Sequence, residues 1–216
     1  MDTERLIEAL ASGLEPVQPL RSPAVRALRW LAVVAAVSLA VILRYADLGV
    51  FLHRIATPRV ALECVATALT AITGILAAFQ LSVPGRSTRW ALLPLAPFLV
   101  WLGASGLGCL QNGTGGSARE SMHCFVFIAS ASVPLAASLL WMLRRAHPIA
   151  PLPVATLGAL GTAAMAAFVL EFFHPFDVTV IDLALHLAAV ALVMAVIALL
   201  RRPLLDPDTP WRSSEP

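Results

Sequence analysis

Three cysteines, Cys64, Cys109 and Cys124, and four histidines, His53, His123, His174 and His186, carry the soft and titratable chemistry of this sequence. Thiolate and imidazole donors are the ligands of Cu(I), Zn(II) and related soft ions. Carboxylates stand beside them: Glu63 precedes Cys64, Glu171 lies three residues before His174, Asp177 follows, and Asp182 lies four residues before His186 on one helix face. Cys109 and Cys124 bracket a 14-residue segment. In an oxidising compartment two such thiols either close a disulfide or hold an ion. A disulfide there would be worth on the order of 3 kcal/mol in the chain-entropy model. The metal reading uses Cys109, Cys124 and a histidine from His123 or His174, with Asp182, His186 and Glu171 as further donors. No CxxC or HExxH spacing chooses between the two. Plainer roles compete: Cys64 as a small core residue, His53 as a solvated loop histidine, and Asp182 with His186 as a hydrogen-bonded pair inside the fold.

The elements that must position these groups are membrane helices. The 216 residues are 59% hydrophobic and 13% charged, and mean hydropathy is +0.83, against roughly 25% charge in an ordinary soluble domain. A soluble core of this size cannot hide so much apolar surface. Six stretches, 27–43, 60–83, 91–108, 124–143, 152–172 and 179–200, approach the length of about 20 apolar residues that a bilayer core demands. The first 20 residues are too polar for a cleavable leader, so the first apolar run is expected to stay as an anchor. Pro94, Pro97 and Pro134 are expected to start or kink their helices. Thr70, Gly74 and Ala78, and Ala104 with Gly108, recur every fourth residue and form small faces suited to close helix packing.

All 15 basic residues are arginine, and 11 of them fall in the N-terminal segment, the second and fourth connections and the C-terminal tail. The positive-inside rule puts those parts in the cytoplasm, and an even number of spans puts both termini there. The three cysteines and all the histidines but His147 then lie on or near the outer side. The expectation is an all-α membrane protein, a bundle of six transmembrane helices divided into a cytoplasmic segment 1–24, a sensor bundle 25–202 and a short tail 203–216.

Residues 2–15 read as a short amphipathic helix stopped by Pro16 and Pro19. At helical spacing Leu6, Ile7, Leu10 and Leu14 share one arc, and Glu4, Glu8 and Glu15 lie opposite. A helix lying on anionic lipid favours Lys and Arg on its polar face. This acidic one fits a groove on a basic protein partner better, and a lipid-lying helix or a disordered leader are the other readings.

A net charge of +2 gives no basis for direct nucleic-acid binding. No serine–histidine pair, metalloprotease motif or phosphate-cradling loop points to an enzyme. A small metal or solute transporter is the rival reading, motivated by Glu63, Glu171, Asp182 and His186. It would need a polar track through the midplane, where the inner halves of the helices are almost purely apolar, and no internal repeat is seen.

The acidic N-terminal helix, Arg26-Ala27-Leu28-Arg29-Trp30 before the first span, Val83-Pro84-Gly85-Arg86-Ser87 closing the second, Gly106-Leu107-Gly108-Cys109 closing the third and Arg144-Arg145 after the fourth resemble the NrsF-like anti-sigma factors, to about Leu205. The resemblance implies a multi-pass protein of the bacterial inner membrane that sequesters an extracytoplasmic-function sigma factor and releases it under heavy-metal or redox stress. It implies a regulatory Cu, Zn or other soft ion rather than an obligatory cofactor. By position the family's cysteine opening the fourth span corresponds to Cys124. A second family cysteine, in a His-Cys-Pro sequence after the fifth span, is replaced: the stretch here is Phe172-Phe173-His174-Pro175. A disulfide between those two positions is therefore excluded. A metal ligand survives a Cys-to-His exchange, which favours coordination and leaves Cys109 with Cys124 as the redox pair.

Overall fold

The computed structural model describes residues 2–12, 20–113, 118–174 and 178–205. Among these, all regular structure is helical: α1 (Thr3–Ser12), α2 (Pro23–Tyr45), α3 (Leu48–Ile55), α4 (Pro58–Leu81), a 3₁₀ turn (Thr88–Leu92), α5 (Leu95–Asn112), α6 (Ala118–Arg144), α7 (Pro151–Leu170) and α8 (Val180–Leu205). Six helical segments are long and apolar enough to cross a membrane. The end of the bundle that receives the N-terminal segment is called proximal below, and the opposite end distal.

Local chemistry sets the boundaries. Ser22 accepts from the Val25 amide and Pro23 occupies the first turn of α2, where a missing N–H costs nothing. Pro58 and Pro151 open α4 and α7 in the same way. Asp47 caps α3 by accepting from the Gly49 and Val50 amides at 2.9 and 3.1 Å. His53 therefore sits on a capped helix rather than in a loop. Pro94 precedes α5, and the third apolar segment, Thr88–Asn112, takes in the 3₁₀ turn as well as α5, so it is longer at both ends than its apolar run 91–108. α6 starts at Ala118, six residues before its apolar stretch, with Glu120 in its first turn, where a carboxylate suits the helix dipole. Pro134 lies inside α6, which continues through it.

α4 and α7 form the centre. α5 flanks α4, α6 and α8 pack on α7 and on each other, and α2 leans on α4. α7 is apolar around its whole circumference, as a helix surrounded by others must be. In lipid the hydrophobic effect does not drive helices together, and close packing does. Glycines provide it: a Cβ on Gly74 would stand 3.0 Å from the Gly161 Cα, and one on Gly161 would stand 2.9 Å from the Ile75 amide nitrogen. The small face of Thr70, Gly74 and Ala78 is thus the seam of the bundle, with Gly158 placed 3.8 Å from the Ala78 Cβ by the same measure.

At the proximal end, Arg26 is buried. Its guanidinium donates to the Met142 carbonyl in the last turn of α6 and lies 5.2 Å from the Phe79 ring centre. One turn on, Trp30 Nε1 donates to Ser138 Oγ at 3.1 Å. α2 is therefore keyed to α6 through polar bonds.

Candidate functional site

The distal end holds three linked polar groups. The first is the turn after α7. Arg54 of α3 donates through Nη1 to the carbonyls of Glu171, at 3.2 Å, and His174. Its Nη2 faces the Glu171 carboxylate at 3.8 Å. Phe51, one turn earlier on α3, stacks on Phe172 at 4.1 Å. α3 thus straps the segment that presents His174. Burial pushes the Glu171 carboxyl up to about 7, with Glu63 adding to the rise and Arg54 and Arg59 opposing it.

The second group is an ion pair inside the bundle. Arg59 Nη1 contacts Glu63 Oε1 at 2.8 Å, one helical turn apart on α4, and the Glu63 carboxylate is 1% exposed. Ser105 of α5 donates to the same carboxylate. The small residue Gly108 makes room, since a Cβ there would collide with the Arg59 guanidinium. Cys64 lies within electrostatic reach of Glu171 and Arg54, and Cys109 within reach of Glu63, Asp182 and Arg59. Both are buried.

The third group surrounds the start of α8. Thr179 and Asp182 form a reciprocal cap: Asp182 Oδ2 accepts from the Thr179 amide at 3.2 Å and hydroxyl at 2.8 Å, while Thr179 Oγ1 accepts from the Asp182 amide at 3.3 Å. Ser121 of α6 also donates to the Asp182 carboxylate. Cys124 is one turn further along α6. Ligand atoms of Cys124, His174 and Asp182, all buried, lie within 4.8 Å of one another. His186 Nδ1 meets the Asp182 carbonyl at 2.7 Å, and its ring centre is 6.3 Å from that of His174.

Of the residues singled out from the sequence, the structure gathers Cys124, His174 and Asp182, and sets His186 beside them. His123 is exposed on α6. Glu171 is engaged with Arg54. Cys109 is within electrostatic reach of Asp182 without being one of the gathered three, and all three cysteines are free thiols. On α1 no residue is buried, and Leu6, Ile7 and Leu10 are 41%, 61% and 65% exposed. Leu14 lies outside the described residues. Sequence reading missed Arg54, Arg59, Ser121 and Thr179. The Arg59–Glu63 spacing of four was a usable signal, as was the Thr-x-x-Asp pattern at 179–182; nothing local marks Arg54 as the strap on a turn 117 residues away.

A thiol, an imidazole and a carboxylate converging in a buried site suit a transition-metal ion with mixed N, O and S preference. No curated protein and no solved structure matches the chain. The sequence pattern of one family, described as NrsF, negative regulator of sigma F, matches residues 10–206. That span covers most of the chain and runs from α1 to the end of α8, so the protein belongs to the NrsF family and is a negative regulator whose partner is a sigma factor.

Proposed function

We propose that the protein is a membrane-bound anti-sigma factor. It sits in the bacterial inner membrane with both termini in the cytoplasm, holds an extracytoplasmic-function sigma factor there, and frees it when a heavy metal or an oxidant reaches the distal Cys/His/Asp cluster from outside. The observation that carries this reading is α1: Leu6, Ile7 and Leu10 form an apolar face that nothing in the described chain covers, opposite Glu4 and Glu8. A short amphipathic helix with such a face binds in a groove, and the sigma factor is the partner the family supplies. The bias of arginines toward the proximal end supports the orientation.

In this reading segment 1–24 docks, bundle 25–202 senses, and 203–216 is a tail. The close backbone approach of Gly74 and Gly161 packs the middle of the bundle, and among the described residues the ion pairs lie at its distal end, which supports a switch over a conduit. To move sigma occupancy from nearly full to nearly empty, the signal must favour the releasing state by about 5 kcal/mol. Coordination supplies that, because structural metal sites bind with about 10 kcal/mol or more.

The test is capture of the sigma factor by full-length protein and by a variant lacking residues 1–24. Capture is expected to disappear with the deletion. Undiminished capture would overturn the docking role of α1.

A further inference from the structure

We infer that Cys124, His174 and Asp182, with His186 as fourth donor, form a site for a borderline divalent cation of the zinc class, and that Cys109 and His123 take no part in it. The inference rests on the proposed sensing role of the distal cluster and names its ligand.

The first argument is charge. Cys124, His174 and Asp182 are each buried, and an ion pair taken out of water is tolerated only when it is compensated. One thiolate and one carboxylate neutralise a dication. A monovalent soft ion such as Cu(I) would leave a buried negative charge. The donor set agrees: two imidazoles, one sulfur and one oxygen suit Zn(II) and its neighbours, whereas Mg(II) and Ca(II) take all-oxygen shells.

The second argument is orientation. The Asp182 carbonyl can only accept, so His186 Nδ1 carries the proton in their 2.7 Å contact, which leaves Nε2 with its lone pair. A ring N–H donated to a backbone carbonyl is the supporting bond that zinc-ligating histidines have. The other donors are held as firmly. The His174 main chain is fixed by Arg54, and Asp182 by Thr179 and Ser121. A carboxylate offers about four lone-pair positions, so Asp182 can keep its cap while it ligates.

The third argument is distance. Tetrahedral ligands at 2.0–2.3 Å from one ion stand about 3.3–3.8 Å apart; those of the trio lie within 4.8 Å of one another, and His186, whose ring centre is 6.3 Å from that of His174, stands outside that set and joins it as the site contracts. Closing that gap takes shifts of about an ångström, the scale on which packed helices switch. Because the donors come from α6, α8 and the turn after α7, binding would draw three distal ends together. The Cys124 thiol proton leaves to solvent as the metal–sulfur bond forms.

The test uses full-length protein in detergent, stripped of metal and titrated with Co(II), whose thiolate charge-transfer and visible bands report tetrahedral binding. One equivalent is expected, displaced by Zn(II). Cys124→Ser should remove the charge-transfer band. Asp182→Asn and His186→Gln should each weaken binding at least tenfold, with thermal unfolding checked alongside. Cys109→Ser, Cys64→Ser and His123→Ala should bind as the parent does. A parent protein without Co(II) bands, bands that survive Cys124→Ser, or loss of binding in Cys109→Ser would each overturn the site. Sigma capture measured on the same preparation separates the outcomes: capture without metal binding removes only this site, and failure of capture removes the regulatory reading.

Discussion

The Arg26 guanidinium donates to the main-chain carbonyl of Met142, 116 residues further along the chain. This bond joins the start of α2, directly after the segment proposed to dock, to the end of the helix that carries Cys124 near its other end. The 27 residues of α6 cover about 40 Å at 1.5 Å each, so one continuous helix connects the distal cluster to the docking side. Arg26→Ala would leave the part-buried Met142 carbonyl without this donor and is expected to lower unfolding free energy in mixed micelles by about 1–3 kcal/mol. An unchanged unfolding curve would mean that the clasp contributes nothing.

The glycine seam makes a sharper prediction. Gly161→Ala brings a Cβ against Ile75 backbone, which cannot swing aside, and should destabilise by about 1–3 kcal/mol. Gly103→Ala meets nothing within 4 Å and should be neutral or slightly stabilising. Equal effects of the two in thermal denaturation would refute the seam.

Glu63→Ala removes one partner of a buried pair and is expected to cost about 3–5 kcal/mol, because Arg59 loses its counter-charge. Replacing both, with Arg59→Met and Glu63→Leu, should recover a large part of that loss. A double variant no better than the single one would show that the pair itself is needed.

Glu171 gives the fold a pH dependence. Its carboxyl is pushed up to about 7 by burial in the folded protein, from an ordinary 4.5 in the open chain. Between these values the folded state binds more protons than the unfolded one, so this contribution is greatest below pH 4.5 and is lost as pH rises to about 7. Glu171→Gln should flatten melting temperature against pH over that window. An unaltered slope in the variant would assign the dependence to other groups.

Leu10→Asp places a charge on the exposed face of α1 and should weaken sigma capture by tenfold or more, the loss of a buried anchor at an interface. Thermal unfolding should stay the same, since Leu10 touches no core. Retained affinity in a binding titration would point to a different docking surface.

The spans were legible in the sequence because the requirement for about 20 apolar residues is local and strong, and the Thr70/Gly74/Ala78 face was legible because its period is helical. Where a helix started was less so. α6 begins among polar residues at Ala118, since a helix need not end where its apolar run does. Sequence spacing bracketed Cys109 with Cys124, whereas the structure groups Cys124 with His174 and Asp182. That grouping depends on how α6, α7 and α8 pack, and on Arg54 reaching from α3, neither of which has a local signature.

The contact between Gly74 and Gly161 leaves α4 and α7 no slack, so this pair serves as a fixed axle. In the proposed switch, displacement at the distal ends of α6 and α8 would pass around this pair, on the outside, and reach the proximal end through α6, which holds α2 at Arg26 and Trp30. A centre closed by glycine would then give motion at the rim of that switch its direction.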